Sequence, residues 1–483
     1  MRYGETGCHG RRDGSGPGGA GAKPARGGGC AASPTADLRV PSAETREPTA
    51  GLDPYLRCAF AGAGKTLAGV LDACLVLHSP QGCHALIGDG LASQRVDFSE
   101  AQVVSSKLCE TEIVYGGEER LKETIREALA YGAPYLFVMS ACGPEVVGDD
   151  LVAVCEAMSA ECGLPVVPME CAGFRGNEHQ GIDIALEKLL DFAAREALPK
   201  VPRSVTLLAP HASANPGWPA DLAWVRWVLG EMGVTVVSVL THKQDVQGIS
   251  QTPAAETSLL LSHDAGARTS ARLSERFAVE PLCAELPLPV GLTNTQRWVE
   301  ALGRRFAAEE VAARIVEEGH RNVIRAIRLR GPNVEFYHRV EAAIAADATL
   351  GIPFLRFITE DLEGIPSALL LRSCSEAARQ VLARELEDLG LTPEVVIGAD
   401  AYAMKQGLRR AHPDCVFGSL LEWQLGRELG IPYCFRIVSP TSRFQMTDRP
   451  YFGYDGLINL LEILQNEHQD RWRSRTRRYE AKW

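Results

Sequence analysis

The chain has 483 residues, 46% of them hydrophobic and 23% charged, with a formal net charge of −11. That length allows about three domains at ~150 residues each. Without a global positive field or an internal basic block, the charge argues against a phosphate-backbone partner, and the C-terminal "RWRSRTRR" reads as a solvated or subunit-contacting tail. No apolar run reaches the ~18 to 20 residues that cross a bilayer and no apolar signal core follows the N-terminus, so a cytoplasmic protein without a membrane partner is expected. In that compartment fourteen cysteines are read as metal ligands or small buried hydrophobes and not as a disulfide framework.

Residues 1–50 are rich in Gly, Ser, Pro and Ala, as in "GSGPGGAGAKPARGGGCAASP", and are expected to form a disordered or extended arm carrying Cys8 and Cys30. The next feature, "CAFAGAGKT" from Cys58 to Thr66, ends like a phosphate-binding loop. The pattern G-x-x-x-x-G-K-[ST] requires its first glycine at Ala59 and a buried strand before it, and "GLDPYLR" is no such strand. The stretch reads instead as a loop, with Lys65 a surface residue or a charge beside a bound group, and with glycines that let backbone approach whatever the Cys58 sulfur touches.

From Leu52 onward, apolar runs alternate with helical patterns in three successive blocks, which predicts an α/β fold of three Rossmann-like domains with parallel sheets flanked by helices. The expected divisions are 51–200, 201–335 and 336–440, followed by a helical or extended tail over 441–483. In the first block "ACLVLHS", "PYLFVMSAC" and "LPVVPMEC" are strands, and "EERLKETIREALAYG" and "DDLVAVCEAMSAECG" are helices. The second contributes "SVTLLAP", "VTVVSVLT" and "TSLLLSH"; the third, "SALLLRS", "EVVIG" and "CVFGSLLEWQLGRELGIPY". Strand ends run into turns of glycine, serine, cysteine or histidine, and in open α/β sheets ligands bind at those carboxyl ends.

Three cysteines sit in such places: Cys58, Cys83 after "CLVL", and Cys142 after "YLFVM". Glycine or alanine flanks each, which suits the thiolates of an iron–sulfur cluster whose sulfides accept nearby N–H bonds. Taken singly, such a cysteine is more often a small core hydrophobe than a ligand. Cys74, Cys155, Cys162, Cys374, Cys415 and Cys434 fall inside apolar patterns and are read as core. The absence of any C-x-x-C argues against a zinc ribbon or a ferredoxin-type site, and three isolated thiols are one short of a four-thiolate centre.

The segments "CAFAGA", "VLHSPQGC", "ETEIVYGGEERLKETI", "SACGPEVVGDDL", "VVPMECAGFRG", "LPLPVGLTNT" and "FGYDGLINLL", spread over roughly residues 52 to 465, resemble the component 1 proteins of nitrogenase and its relatives. The resemblance implies that Cys58, Cys83 and Cys142 supply half of a P-cluster-type iron–sulfur cluster at a subunit interface. A homologous α-type chain would supply the other half in an α2β2 assembly, and an ATP-hydrolysing iron protein would deliver electrons. In such complexes the α-type chain holds the active-site metallocluster through a cysteine and a late histidine. Here Ser262 and His263 stand at the first place and "YCFRIVSPTSRFQMTDRPYFGYDG" has no histidine, so the resemblance implies a β-type chain; Arg443 and Arg449 before "GYDG" agree with this. His263 itself reads as a hydrogen-bonded turn residue. Gly173 stands where the molybdenum-nitrogenase β chain offers a serine, and "CAGFRG" is closer to α-type or scaffold chains. These departures argue against nitrogen fixation proper and point to a nitrogenase-like system, a methylthio-alkane reductase first, then a cofactor-assembly scaffold or a tetrapyrrole reductase, with nitrogenase itself kept as an alternative.

Overall fold

The computed structural model describes residues 56–93, 102–212, 215–330, 338–441 and 446–475. The glycine-rich arm, with Cys8 and Cys30, lies outside the described residues, as does Arg443.

Three wholly parallel sheets form the framework. The first, in the order β2-β1-β3-β4, uses β1 (Ala73–His78), β2 (Gln102–Ser105), β3 (Tyr135–Ser140) and β4 (Val166–Glu170). The second, β6-β5-β7-β8, uses β5 (Ser204–Leu208), β6 (Thr235–Leu240), β7 (Thr257–Leu260) and β8 (Glu280–Leu282). The third, β11-β10-β9-β12-β13, uses β9 (Glu341–Ala346), β10 (Ile365–Leu371), β11 (Glu394–Ile397), β12 (Cys415–Gly418) and β13 (Tyr433–Arg436). Strand order reverses between β1 and β3, between β5 and β7, and between β9 and β12, so each sheet has a crevice at the carboxyl ends of those strands.

The continuous apolar runs follow from helices covering both faces of each sheet. In β1, Leu75 and Leu77 face one core while Cys74 and Val76 face another. The first of these cores continues through Ile182 and Leu186 to Leu208 and Leu240 of the second sheet. A further core joins Val205, Leu207 and Leu259 to Ile344, Leu369 and Phe417 of the third. Cys74, Cys155 and Cys415 are buried, and Cys162, Cys374 and Cys434 pack half-buried against these cores.

The central strand of the third sheet, "EAAIAA", was not among the expected strands. Alanine has low strand preference, but five of its six residues are buried, where small side chains admit helices closely on both faces. The stretch after Cys58 also differs from the expected loop. Ala59–Leu67 is a helix whose residues are all buried, and it lies against the helix Glu178–Ala193. Its glycines serve that contact: a Cβ on Gly62 would stand 1.9 Å from the Glu178 carbonyl oxygen, and one on Gly181 would stand 2.0 Å from that of Ala59.

Candidate functional site

Cys58 is the N-cap of the leading helix Ala59–Leu67, and its neighbour's amide, Ala59 N–H, donates to the Gly176 carbonyl at 2.8 Å. Cys83 is the third residue of the helix Gln81–Ser93 that follows β1, and Cys142 is the first residue of the helix Cys142–Val147 that follows β3. β1 and β3 are paired neighbours, with His78 opposite Ser140, so Cys83 and Cys142 both stand at the crevice of the first sheet.

The loop after β4 closes the group. Gly173 N–H donates to Cys142 Sγ at 3.1 Å, and a Cβ on Gly173 would stand 3.0 Å from Cys142 Sγ and 3.4 Å from Cys58 Sγ. Glycine is therefore needed here because two sulfurs occupy the space a side chain would fill. Burial pushes the Cys83 thiol up, and the Cys142 and Cys58 thiols push it further, which brings all three within electrostatic reach of one another. The structure thus brings together the three cysteines singled out in the sequence. Among the described residues no three His, Cys, Asp or Glu side chains are placed to hold one metal ion. The trio, with a backbone N–H aimed at one sulfur and no side chain between two of them, fits thiolates around a larger group open on its far side.

The glycines flanking the cysteines in sequence have other tasks. Gly64 faces Ile87, Gly143 faces Ile113, and Gly82 faces open space. The approach to sulfur is made by Gly173, which is distant in sequence from all three.

A second layer explains three of the quoted motifs. His78, at the end of β1, lies 2.9 Å through Nε2 from Asp149 Oδ2 and 3.2 Å through Nδ1 from Ser106 Oγ. Asp149 also accepts from Gly117 N–H at 2.9 Å, and a Cβ on Gly117 would meet His78 Cε1 at 2.9 Å. Asp150 caps the helix Leu151–Cys162 through Ala153 N–H. So "HSPQGC", "YGGEE" and "VVGDD" interlock behind the thiols. Cys171, which sequence reasoning passed over, lies buried near Cys58; burial raises its thiol well above the ordinary value, and Sγ points to the Ser140 carbonyl. Its place in "VVPMEC", at the carboxyl end of a predicted strand, was the available signal.

The thiol face is exposed and apolar. Cys142 is exposed, as are Val146 and Val147 of its helix, Phe174 beside Gly173, and Val114 and Tyr115 of the helix Glu110–Tyr115, which packs on the Cys142 helix. Tyr115 is 85% exposed and Val146 74%. Exposed apolar groups gathered in one region mark an interaction surface.

The crevices of the other two sheets differ. Asp264, after β7, accepts from Ala348 and Thr349 N–H, from Thr349 Oγ1 and from Ser373 Oγ, which caps the helix Ala348–Arg356 after β9. Ser262 Oγ accepts from Asp264 and Ala265 N–H and lies 3.0 Å from Thr349 Oγ1. Asp347 Oδ2 lies 3.3 Å from His179 Nε2, at the start of the helix Glu178–Ala193. Burial pulls His179 down, but Asp264 and Asp347 outweigh it and hold its pKa at about 9. Burial likewise pushes Asp347 up, yet His179, Arg372 and Lys65 hold it below the ordinary carboxylate value.

Lys65 is not the surface residue that one of its two readings expects. Its helix buries it, 5% exposed, against Glu178 Oε1 at 3.2 Å. The backbone of "GAGKT" is committed to helix, leaving no phosphate cradle. His263 is held through its backbone, by Thr349 Oγ1 on its N–H and Ser375 Oγ on its carbonyl, while its Nε2 has no hydrogen-bond partner among the described residues. The expected side-chain hydrogen bond is thus replaced by backbone bonds, and burial lowers the ring's pKa to about 4.

Among the described residues no helix is long and apolar enough to cross a membrane. Residues 58–468 match the family described as Nitrogenase component 1 type Oxidoreductase. The chain is 23% identical over 415 residues to the nitrogenase iron-molybdenum cofactor biosynthesis protein NifE of Bradyrhizobium diazoefficiens, covering 85% of this chain and 73% of that protein. It is 24% identical to the nitrogenase molybdenum-iron protein alpha chain of Methanothermobacter thermautotrophicus, over 83% and 85% of the two chains. Against the beta chain of Methanococcus maripaludis it is again 24% identical, over 89% and 96%. The solved structure "Nitrogenase Cp1 at pH 6.5" superposes with a TM-score of 0.73 at 18% identity, over 89% of this chain and 95% of that one, and shares the fold. With a family match running from Cys58 to the last long helix, on the same multi-sheet parallel framework, this chain belongs to the nitrogenase component 1 type oxidoreductases.

Proposed function

We propose that Cys58, Cys83 and Cys142 are this chain's ligands to a P-cluster-type iron–sulfur cluster shared with a homologous α-type partner. The chain is then the β-type, electron-relay subunit of a nitrogenase-like reductase served by an ATP-hydrolysing iron protein. The observation that carries this reading is the meeting of the Cys142 and Cys58 sulfurs at Gly173, with Cys83 within electrostatic reach of both, beside exposed apolar side chains. Such a group, when bound, supplies storage of single electrons at low potential. This chain's residues hold it through three sulfurs, donate the Gly173 N–H to one of them, and offer Val114, Tyr115, Val146 and Phe174 to a partner that shuts out water.

The relay role is supported by the other crevices. Ser262, which with His263 stands where a metallocluster ligand would be expected in an α-type chain, is committed to the Asp264 and Ala265 N–H groups, and the next residue along, Asp264, caps the helix Ala348–Arg356. By the departures noted in the sequence, the substrate class is small thioethers, whose carbon–sulfur bond is reduced. The relatives that are cofactor biosynthesis proteins, together with "CAGFRG", favour a second reading, a scaffold on which a cofactor is assembled.

Iron and sulfide analysis of the complex, purified anaerobically with its partner, tests the cluster. Substantial iron is expected, with loss of iron and of electron transfer in Cys83→Ala; an unchanged cluster spectrum in that variant would sink the ligand assignment. Turnover of dimethyl sulfide or an ethylthio-alcohol with the reductase partner separates a reductase from a scaffold, which releases no product.

A further inference from the structure

Glu145 lies one turn beyond Cys142 on the same short helix, its side chain only 9% exposed. It reaches across to the loop after β4 at two points. Oε1 accepts the Ala172 N–H at 3.1 Å, and Oε2 accepts Arg175 Nε at 2.6 Å. Oε1 also accepts from Ser140 Oγ at the end of β3, and Arg175 makes a second, longer contact of 3.3 Å to Glu170 at the end of β4. Between Ala172 and Arg175 lies Gly173, whose N–H points at Cys142 Sγ. One carboxylate therefore ties the helix that carries a thiol to both sides of the peptide that donates to it. The same loop continues to Gly176, which accepts from Ala59 beside Cys58.

We propose that Glu145 and Arg175 form a positioning clamp that fixes the Gly173 N–H on Cys142 Sγ and thereby sets the electron affinity of whatever group the thiols hold. The proposal rests on the metal-site reading above for the identity of that group. The physical basis is general: a donor aimed at a thiolate stabilises added negative charge, and the effect depends on an alignment that a mobile loop would lose. Within the clamp both partners are fixed, since Glu145 makes three hydrogen bonds and Arg175 engages two carboxylates.

Two substitutions separate positioning from simple charge. Glu145→Gln removes a negative charge and Arg175→Gln a positive one, yet each breaks the same ion pair. In the complex with its partner, redox titration with mediator dyes, followed by visible absorbance and electron paramagnetic resonance, should give lower midpoint potentials in both variants. Arg175→Lys, which keeps the charge and one donor, should return part of the way. Shifts of opposite sign, or none, with iron content unchanged would overturn the clamp.

Absence of iron from the wild-type complex would overturn the metal-site reading alone. The clamp is then decided on the full chain without metal, by hydrogen–deuterium exchange of the Gly173 amide followed by peptide mass spectrometry. Both Gln variants should exchange about tenfold faster, because an amide no longer held on its acceptor opens to solvent more often. Equal rates in all three proteins would overturn the clamp on that arm also.

Discussion

The thiol face of the first sheet and the junction between the second and third sheets occupy the same kind of place, the carboxyl ends of parallel strands where sheet order reverses. The first is open. Its thiols are half-buried or exposed and apolar side chains stand in solvent beside them. The second is sealed, with Asp264 and Ser262 bonded to backbone and hydroxyls and His179 held to Asp347 by charge. A crevice of the same topology can be a place to hold something or a place to join elements, and the residues at the strand ends decide which. Small residues and cysteines leave room and reactive sulfur; carboxylates, hydroxyls and a histidine close on each other through hydrogen bonds and opposite charge.

The two places are joined by the paired helices Ala59–Leu67 and Glu178–Ala193. Cys58 caps the first, and Lys65, near its other end, meets Glu178 beside His179. Breaking this pair should give the largest effect. Gly62→Ala places a methyl 1.9 Å from a carbonyl oxygen, so the helices must separate, and a loss of at least ~3 kcal/mol is expected in denaturant melts. Both regions should suffer, with thiol-bound iron and thermal stability falling together.

Lys65→Met acts on the sealed side. It leaves the Glu178 carboxylate buried and unpaired, at a cost of roughly 3 kcal/mol or more. The thiols are untouched, so iron per folded complex should stay at the wild-type level. A parallel loss of iron would show that the two regions are not separable.

The pH dependence of stability sharpens the contrast. His179 is held at about 9 when folded, above its ordinary 6.5. A raised value means that its contribution is complete below about pH 6.5 and is lost as pH rises through about 9. Asp183, raised by burial to about 6, and Asp221 and Asp361, raised to about 7, give falls of the same sign around neutrality, so the His179 share is the difference between wild type and variant. His179→Gln should flatten the fall between pH 7 and 9 by up to roughly 2 kcal/mol. An unchanged slope in urea melts at pH 7 and 9 would remove His179 from the junction.

On the open face the stability effect should be smallest. Tyr115→Ser or Val146→Ser changes an exposed side chain and should shift unfolding by less than ~0.5 kcal/mol. Co-purification of the α-type partner should nevertheless weaken, measured by the dissociation constant of the complex. Unaltered association in the double variant would mean that the partner sits elsewhere.

Much of the framework was legible because parallel strands covered on both sides are continuous apolar runs, and β1, β3, β5, β7 and β10 were each visible as one. The strand "EAAIAA" was not, since its alanines carry a helix-like signal and only burial between two helix layers makes them a strand. Cys83 and Cys142 were singled out as cysteines after strand ends and Cys58 as an entry-loop cysteine among glycines and alanines. Glu145, Arg175 and Cys171 were not, because nothing local distinguishes a carboxylate that will cross to another loop from one that will face water.

By itself, the sequence determined the repeated strand–helix alternation, the turns at which chemistry would gather, and the absence of a phosphate loop after Cys58. Those features are local, written in periodicity and residue type over a few positions. Tertiary structure alone decided what each glycine is for, that Lys65 is buried against Glu178, and that Gly173 rather than a neighbouring glycine leaves room at the sulfurs. Each of these depends on which atoms from distant segments come within 3 or 4 Å, and spacing along a chain does not fix that distance.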